Sequence, residues 1–233
     1  MRSIWRTVNA RLGQQLARDI GLVLIADGLV GLSFGAIAVS EGFSIWVPVL
    51  MSFVVFAGAA QFMFIGLVAA GGALIPAVLA GLLVNARHLP FGFAVSDVFG
   101  SSTVRRILGS HVMIDETVAF ALAQRDPVRR RAAYWACGVG LFVCWNVGVL
   151  IGSFAGTVIT DTDAFGLDAA FPAVLLALVL PSLRERRTLM AALVGMAIAV
   201  GAAPFLPAGV PVLLALAGVV VCRPTVEKPV EVA

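Results

Sequence analysis

The sequence predicts an all-α integral membrane protein, a polytopic bundle of transmembrane helices. Of its 233 residues, 61% are hydrophobic and only 12% are charged, and the mean hydropathy is +1.03. Soluble domains average about 45–50% apolar and about 25% charged residues, and a globule of this size could not hide so much apolar surface. A spanning helix needs roughly 20 apolar residues, and several such stretches occur.

Short polar stretches divide the chain into apolar segments, and the pattern predicts six to seven membrane crossings. Residues 20–222 form the predicted transmembrane domain. Residues 1–19 place apolar side chains at helical spacing among arginines, which predicts a helix on the cytoplasmic membrane interface. Residues 223–233 are predicted to be a disordered cytoplasmic tail. The apolar segments are approximately 20–39, 43–70, 73–96, 107–123, 134–159, 169–183, 188–203 and 208–222.

Charged residues lie mostly at the ends of the apolar segments, and their distribution predicts the orientation of the chain. Lys and Arg are retained on the cytoplasmic side, whereas acidic residues have little effect. Basic clusters at residues 1–18, 125–131 and 184–187 predict a cytoplasmic N-terminus, with the acidic loop at 161–168 outside. We expect a multi-pass protein of the inner (plasma) membrane. The same distribution argues against nucleic-acid binding, despite a net charge of +3.

The first half of the chain does not fit an uninterrupted series of crossings. Three apolar segments separate a cytoplasmic N-terminus from the basic residues at 105–131, and an odd number of crossings would place Arg105 outside. Either one segment is re-entrant, or 107–123 crosses as well and Arg105 is an exception. We favour at least one broken or re-entrant segment, because interrupted hydrophobic segments are typical of the binding sites of transporters.

The stretch from Phe56 to Gln61 is the first candidate for a substrate-binding site. Gly58, Ala59 and Ala60 are small enough for a ligand to approach backbone amides at a helix break, and Gln61 adds a donor and an acceptor. The same residues could instead allow close helix packing, with Gln61 forming an interhelical hydrogen bond. Both interpretations remain open from the sequence.

A second polar stretch, Asn85 with Arg87 and His88, interrupts another apolar segment. Asn85 is a further candidate for substrate binding. Arg87 and His88 are candidates for a proton-coupling polar network, in which Arg87 could pair with an acid or with a substrate carboxylate. The alternative is a helix end at the interface, with Arg87 reaching towards water.

Four more ionisable residues are assigned to the same predicted network. Asp27 lies about one-third of the way along the first apolar segment, where a charge costs about 2.5–3.5 kcal/mol at the bilayer centre. His111 and Asp115 share a helical face and could relay protons, while Glu116 projects to one side. The alternatives are a packing role for Asp27 and an amphipathic interfacial helix carrying the other three.

Glycines at helical spacing predict close contacts between helices. Gly148, Gly152 and Gly156 form one face, and Gly31 and Gly35 form another. From the sequence, these faces could pack within the fold or against a partner subunit. The sequence contains no phosphate-binding loop, nucleophile elbow or metalloprotease motif, so we expect neither an enzyme nor a cofactor or metal site.

The polar stretches together carry a family resemblance. The run FAGAAQF at residues 56–62, the run NARH at 85–88, and His111 followed by Asp115 and Glu116 resemble the AzlC family of branched-chain amino acid permeases. The similarity extends over residues 20–222, including Trp145. It implies the large subunit of a two-component exporter that works with a small AzlD-type membrane protein.

The predicted function is export of branched-chain or similar apolar amino acids, driven by the proton gradient. In this hypothesis amides near residues 57–61 hold the substrate carboxylate, and Asp27 or backbone carbonyls hold its ammonium group. Two other functions remain open: a channel or facilitator for a small neutral or anionic solute, and a membrane assembly or lipid-processing protein. The first would only equilibrate its solute, and the second would show no solute flux.

Overall fold

A computed structural model describes residues 12–158, 176, 180, 182–206 and 210–221. All regular secondary structure in this described part is helical, which confirms the predicted all-α class. Three apolar stretches are long enough to cross a membrane, namely Gln14–Ser40, Leu74–Ala94 and Pro127–Gly156. The total number of crossings stays a prediction.

The described residues form helices of very different lengths. Two of them, α1 and α8, are long, and most of the others are short because the chain turns within its apolar segments. The helices are α1 Gln14–Ser40, α2 Trp46–Val54, α3 Gly58–Ala69, α4 Leu74–Asn85, α5 His88–Ala94, α6 Thr103–His111, α7 Asp115–Leu122, α8 Pro127–Gly156, α9 Arg186–Ala202, α10 Val210–Leu214 and α11 Ala217–Val221.

Several predictions fall on residues outside the described ranges. They concern most of the interfacial segment at 1–19, the acidic loop at 161–168 and the tail at 223–233. Leu12 is helical, and helix α1 begins at Gln14, directly after Gly13, whose φ of 83° suits glycine better than any other residue. The predicted domain boundaries therefore stay predictions.

The chain divides into two compact units. The first comprises Met1–Phe62 and Gly81–Ala170, and the second comprises Met63–Ala80 and Phe171–Ala233. Within the second unit, α9 and α11 pack through small residues, since a Cβ atom on Gly218 would lie 2.6 Å from the backbone nitrogen of Gly195. The polar residues singled out in the sequence all belong to the first unit.

Helices α1 and α8 pack closely along their length, and they form the framework of the first unit. A Cβ atom on Gly31 would lie 2.8 Å from the backbone oxygen of Trp145, and one on Gly152 would collide with the backbone oxygen of Leu32. Side chains of any size would push the two backbones apart. The two predicted glycine faces therefore meet each other inside the fold.

The N-terminal end of α8 is specified locally. Asp126 precedes the helix in an extended conformation, and its carboxylate accepts a hydrogen bond of 2.8 Å from the backbone N–H of Arg129. Pro127 occupies the first helical turn, where its missing N–H costs nothing. An acidic N-cap residue followed by proline is a strong start signal for a helix.

The predicted apolar segments 43–70, 73–96 and 107–123 are all interrupted. The first is divided between α2 and α3, the second between α4 and α5, and the third between α6 and α7. Because α6 ends at His111 and α7 begins at Asp115, these two residues do not share one helix, and the predicted common helical face is wrong. The prediction of at least one broken segment is therefore confirmed. At the first interruption Phe56 has a φ of 31°, which is uncommon for a bulky residue and locates the bend.

Candidate functional site

The three helix breaks converge on one cavity. Its volume is about 250 Å³. The break between α2 and α3, the break between α4 and α5, and the turn between α6 and α7 each contribute to its wall. The lining residues are Val55, Phe56, Ala57, Asn85, His88, Ser110, His111 and Met113. Irregular backbone in a membrane protein is tolerated where it is buried in protein or lines a cavity, and all three breaks line this one.

The wall contributed by the first break is aromatic. Phe56 is 3% exposed, and its ring packs edge-to-face on Phe142 of α8 at 5.1 Å between centroids. The His111 imidazole lies 5.5 Å from the same Phe142 ring and 6.4 Å from the Phe56 ring. The unusual backbone conformation of Phe56 thus brings its ring into a packed cluster next to one of the cavity histidines.

Helix α3 begins at the cavity, directly after Ala57. The backbone N–H of Gln61 is bonded to the carbonyl of Ala57 at 3.0 Å, so Gly58, Ala59 and Ala60 occupy the first turn. The amides of a first turn have no carbonyl partner within the helix. Gly58 also allows the Trp145 indole to approach, because a Cβ atom there would lie 2.9 Å from Cη2 of the ring.

The Gln61 side chain is completely buried beside this turn. Its Nε2 donates to the backbone oxygen of Met51 at 2.9 Å, and its Oε1 accepts from Trp145 Nε1 at 3.1 Å. The amide therefore connects α2, α3 and α8 across the break. Both ends of the group are occupied by the protein, and Gln61 is not among the lining residues of the cavity.

A second hydrogen-bonded link uses the next residue along each of these two helices. Ser52 of α2 donates to Asn146 Oδ1 at 2.6 Å, and Asn146 Nδ2 donates to the backbone oxygen of Phe142 at 2.7 Å. Both side chains are buried. Together with the Gln61 link, this pair ties the end of α2 to α8.

At the second break, the polar groups belong to Asn85 and His88. His88 Nδ1 lies 2.9 Å from the backbone oxygen of Asn85. Among the residues that the structure describes, the buried Asn85 Oδ1 has no hydrogen-bond partner. A buried acceptor without a partner is costly, and it is available to a donor that enters the cavity.

Arg87 connects the second break to the third. Its Nη1 lies 2.7 Å from Asp115 Oδ2, and both side chains are 40% exposed. The other carboxylate oxygen, Asp115 Oδ1, is buried and has no partner within the described part of the chain. Neither residue lines the cavity, but Arg87 directly precedes the lining residue His88, and Asp115 lies two residues after the lining residue Met113.

Glu116 interacts electrostatically with this ion pair, and Asp27 interacts with Glu116. The carboxylate of Glu116 on α7 is attracted by Arg87 and repelled by Asp115 and by Asp27 of α1. The structure therefore groups Arg87, Asp115, Glu116 and Asp27 electrostatically. It groups Asn85, His88 and His111 around the cavity, with the first turn of α3 at its edge.

Sequence reasoning missed four contributors to the site. Ser110 and Met113 line the cavity, Ser52 bonds to Asn146, and Trp145 holds Gln61. A lone serine or methionine in an apolar segment carries no signal of its own. The buried indole N–H of Trp145 was the one usable signal, because a buried tryptophan usually finds a hydrogen-bond partner.

The fold and site define a multi-pass helical membrane protein in which broken helices surround a small, partly polar cavity. The family described as AzlC protein matches residues 23–159, a range that includes all three breaks. The chain belongs to the AzlC family, which confirms the resemblance seen in the sequence.

Curated relatives agree with this assignment. The branched-chain amino acid transport protein AzlC of Bacillus subtilis is 26% identical over 212 residues, which cover 88% of this chain and 81% of the relative. The inner membrane protein YgaZ of Escherichia coli is 30% identical over 180 residues, which cover 71% of this chain and 72% of the relative. An uncharacterized membrane protein of Helicobacter pylori is 28% identical over 180 residues, which cover 76% of this chain and 78% of the relative. No solved structure matches.

Proposed function

We propose that this protein is a transporter that exports branched-chain or similar apolar amino acids across the inner membrane, and that it is not an enzyme. The observation that carries the proposal is the convergence of three helix breaks on one cavity. Broken helices near the bilayer midplane form the substrate sites of many transporters. The name of the Bacillus subtilis relative supports the choice of substrate.

The cavity offers a distinct surface to each part of such a substrate. Gly58, Ala59 and Ala60 do not line the cavity themselves, but they directly follow the lining residue Ala57. Their first-turn backbone amides suit a carboxylate, since helix N-termini bind anions. Asn85 Oδ1 is a buried acceptor without a partner among the described residues, and it suits the ammonium group. Val55, Phe56 and Met113 supply the apolar surface for an aliphatic side chain.

We assign Gln61 a positioning role in this site. Its amide holds the end of α2, through Met51, and the Trp145 indole against the first turn of α3. This favours the interhelical hydrogen bond among the two interpretations that the sequence left open. The Gln61 side chain fixes the break at which the backbone amides of α3 are available to the substrate. Direct contact with the substrate is assigned to Asn85 and to these backbone amides.

We propose coupling to protons through the two histidines. The chain has only two, His88 and His111, and both line the cavity. Imidazole is the side chain best suited to exchange protons near neutral pH. Arg87, Asp115 and Glu116, together with Asp27, would then balance the charge as the cavity loads and unloads.

The proposal includes a small AzlD-type membrane subunit as partner and a cytoplasmic N-terminus. The family supports the partner, and the basic clusters support the orientation. The glycines on α1 and α8 are used within the chain, so the subunit must bind elsewhere.

Flux through proteoliposomes tests the proposal. The purified chain is reconstituted with and without the small subunit, and radiolabelled leucine, isoleucine, valine, lysine and glutamate are compared with and without an imposed pH gradient. We expect saturable flux of the three aliphatic amino acids and their accumulation under the gradient. Equilibration without accumulation would indicate a facilitator, and the absence of any amino acid flux would contradict the proposal.

A further inference from the structure

Two further cavities, whose lining residues differ from those of the first, lie at the N-terminal end of α8. Their volumes are about 600 Å³ and about 360 Å³, and they share Arg131 and Trp135 as lining residues. The larger is completed by Asp97 and Val128, among others, and the smaller by Arg105 and Leu108. No residue of the proposed substrate site contributes to either.

These cavities lie at a membrane–water boundary. Helix α8 is a candidate membrane span, and Arg129, Arg130 and Arg131 stand in its first turns. Three neighbouring arginines are too costly for the hydrocarbon core, so this end of the helix reaches the headgroup layer. Trp135 follows one turn deeper, at the level where tryptophan is enriched in membrane proteins.

The Arg131 guanidinium is held in place by the backbone. Its Nε donates to the carbonyl of Val98 at 3.1 Å, and its Nη2 lies 3.4 Å from the carbonyl of Asp97. Gly100, with a φ of 74°, lets the chain bend beside it. A guanidinium has more N–H donors than these contacts use, so a fixed cationic group remains available in both cavities.

The charges in the two cavities favour an anion. Arg105 lines the smaller one and forms no ion pair or side-chain hydrogen bond with any residue that the structure describes. The one acidic lining residue, Asp97, is already paired with Arg130 at 3.2 Å. Two arginines therefore face the cavities, and the opposing carboxylate is neutralised by a third.

Apolar side chains surround the cationic groups. Val128 is 69% exposed and Leu108 is 54% exposed, and both line the cavities beside Trp135. A soluble anion would gain nothing from these surfaces, whereas a phospholipid could place its phosphate on the arginines and its acyl chains on the exposed apolar residues. Basic pockets between helices are known binding sites for anionic lipid headgroups.

We propose that the paired cavities around Arg131 and Trp135 bind an anionic phospholipid, with Arg105 and Arg131 on its phosphate and Val128 and Leu108 along its acyl chains. The two cavities share Arg131, so one phosphate on this guanidinium could be reached from either cavity. This site is separate from the substrate cavity and does not depend on the identity of the substrate.

Native mass spectrometry of the purified full chain tests the proposal, with cardiolipin, phosphatidylglycerol and phosphatidylcholine as the probes. We expect cardiolipin and phosphatidylglycerol to remain bound at collision energies that remove phosphatidylcholine. The variant Arg105→Gln should weaken cardiolipin binding at least about fivefold, since a charge-assisted hydrogen bond to phosphate is lost. Arg187→Gln is the matched control, because Arg187 is an exposed arginine at the start of α9.

Three outcomes would overturn the proposal. The first is equal retention of cardiolipin and phosphatidylcholine. The second is an equal effect of Arg105→Gln and Arg187→Gln on cardiolipin binding. The third is displacement of cardiolipin by free leucine, which would make the cavities part of the substrate route. Thermal unfolding of each variant in detergent shows whether a loss of lipid reflects a loss of folding.

Discussion

Arg87 and Asp115 form an ion pair of 2.7 Å that joins two interrupted helices. Arg87 lies in the turn between α4 and α5, and Asp115 is the first residue of α7. Each stands within two residues of one that lines the cavity. The pair is therefore a direct connection between two of the three breaks.

Neutralising one partner of this pair should affect transport more than stability. Both side chains are 40% exposed, and pairs of this exposure contribute about 1 kcal/mol or less. We expect Arg87→Gln to lower the free energy of unfolding by no more than that amount, while leucine flux falls about tenfold or more because an unpaired acid remains beside the cavity. Proteoliposome flux and thermal unfolding on the same sample measure both effects.

A charge exchange serves as the control for Arg87→Gln. The double variant Arg87→Asp with Asp115→Arg restores an ion pair in the opposite direction, so it should recover part of the flux if the connection itself matters. Flux that is unaffected by Arg87→Gln would show that the pair has no part in transport.

Removing the two histidines should separate flux from proton coupling. Both imidazoles line the cavity, and glutamine has a similar shape but does not titrate. In the double variant His88→Gln with His111→Gln, we expect exchange of leucine across the membrane to continue. The accumulation of leucine driven by a pH gradient should disappear. Accumulation equal to that of the unmodified protein would contradict the assigned role.

The variant Gln61→Leu should lower stability. It leaves Trp145 Nε1 and the backbone oxygen of Met51 without their present partner. Interhelical hydrogen bonds in membranes contribute about 0.6 kcal/mol each on average, so we expect a loss of about 1 kcal/mol. Trp145→Phe removes one of the same bonds from the other side, and the effects of the two changes should be less than additive. An unchanged melting temperature for Gln61→Leu would contradict the positioning role.

Adding one methyl group at the contact of α1 and α8 should be strongly unfavourable. A Cβ atom on Gly152 would collide with the backbone oxygen of Leu32, whereas a Cβ atom on Gly21 would meet nothing within 4 Å. We expect Gly152→Ala to cost about 1–3 kcal/mol through overpacking. Gly21→Ala should be neutral or stabilising by up to about 1 kcal/mol, because alanine favours helix. Equal melting temperatures for the two variants would contradict the described packing.

The sequence predicted the class of the protein and the position of its irregular segments. Apolar content alone indicated a membrane protein, and the small-residue run ending in Gln61 marked the break between α2 and α3. These signals are local. A patch of small and polar residues within an apolar segment is visible without knowledge of the neighbouring helices.

The arrangement of these segments in space could not be predicted in the same way. Ser52 and Asn146 are far apart in the chain, and nothing in either neighbourhood indicates the other. The two glycine faces were evident, but the sequence could not show that they pack against each other. The positioning role proposed for Gln61 also depends on tertiary structure, since its bonds to Met51 and Trp145 are not visible in the sequence.

Leucine binding to the purified protein, compared between Asn85→Leu and Asn146→Leu, tests the central claim most directly. Asn85 lines the cavity with a buried acceptor that has no partner in the described part of the chain, whereas Asn146 is buried and bonded to Ser52. We predict that Asn85→Leu loses about 1–3 kcal/mol of affinity, the cost of removing a buried polar partner, and keeps its melting temperature. Asn146→Leu should lower the melting temperature and keep the affinity. Unchanged leucine affinity in Asn85→Leu would contradict the placement of the substrate at the three breaks.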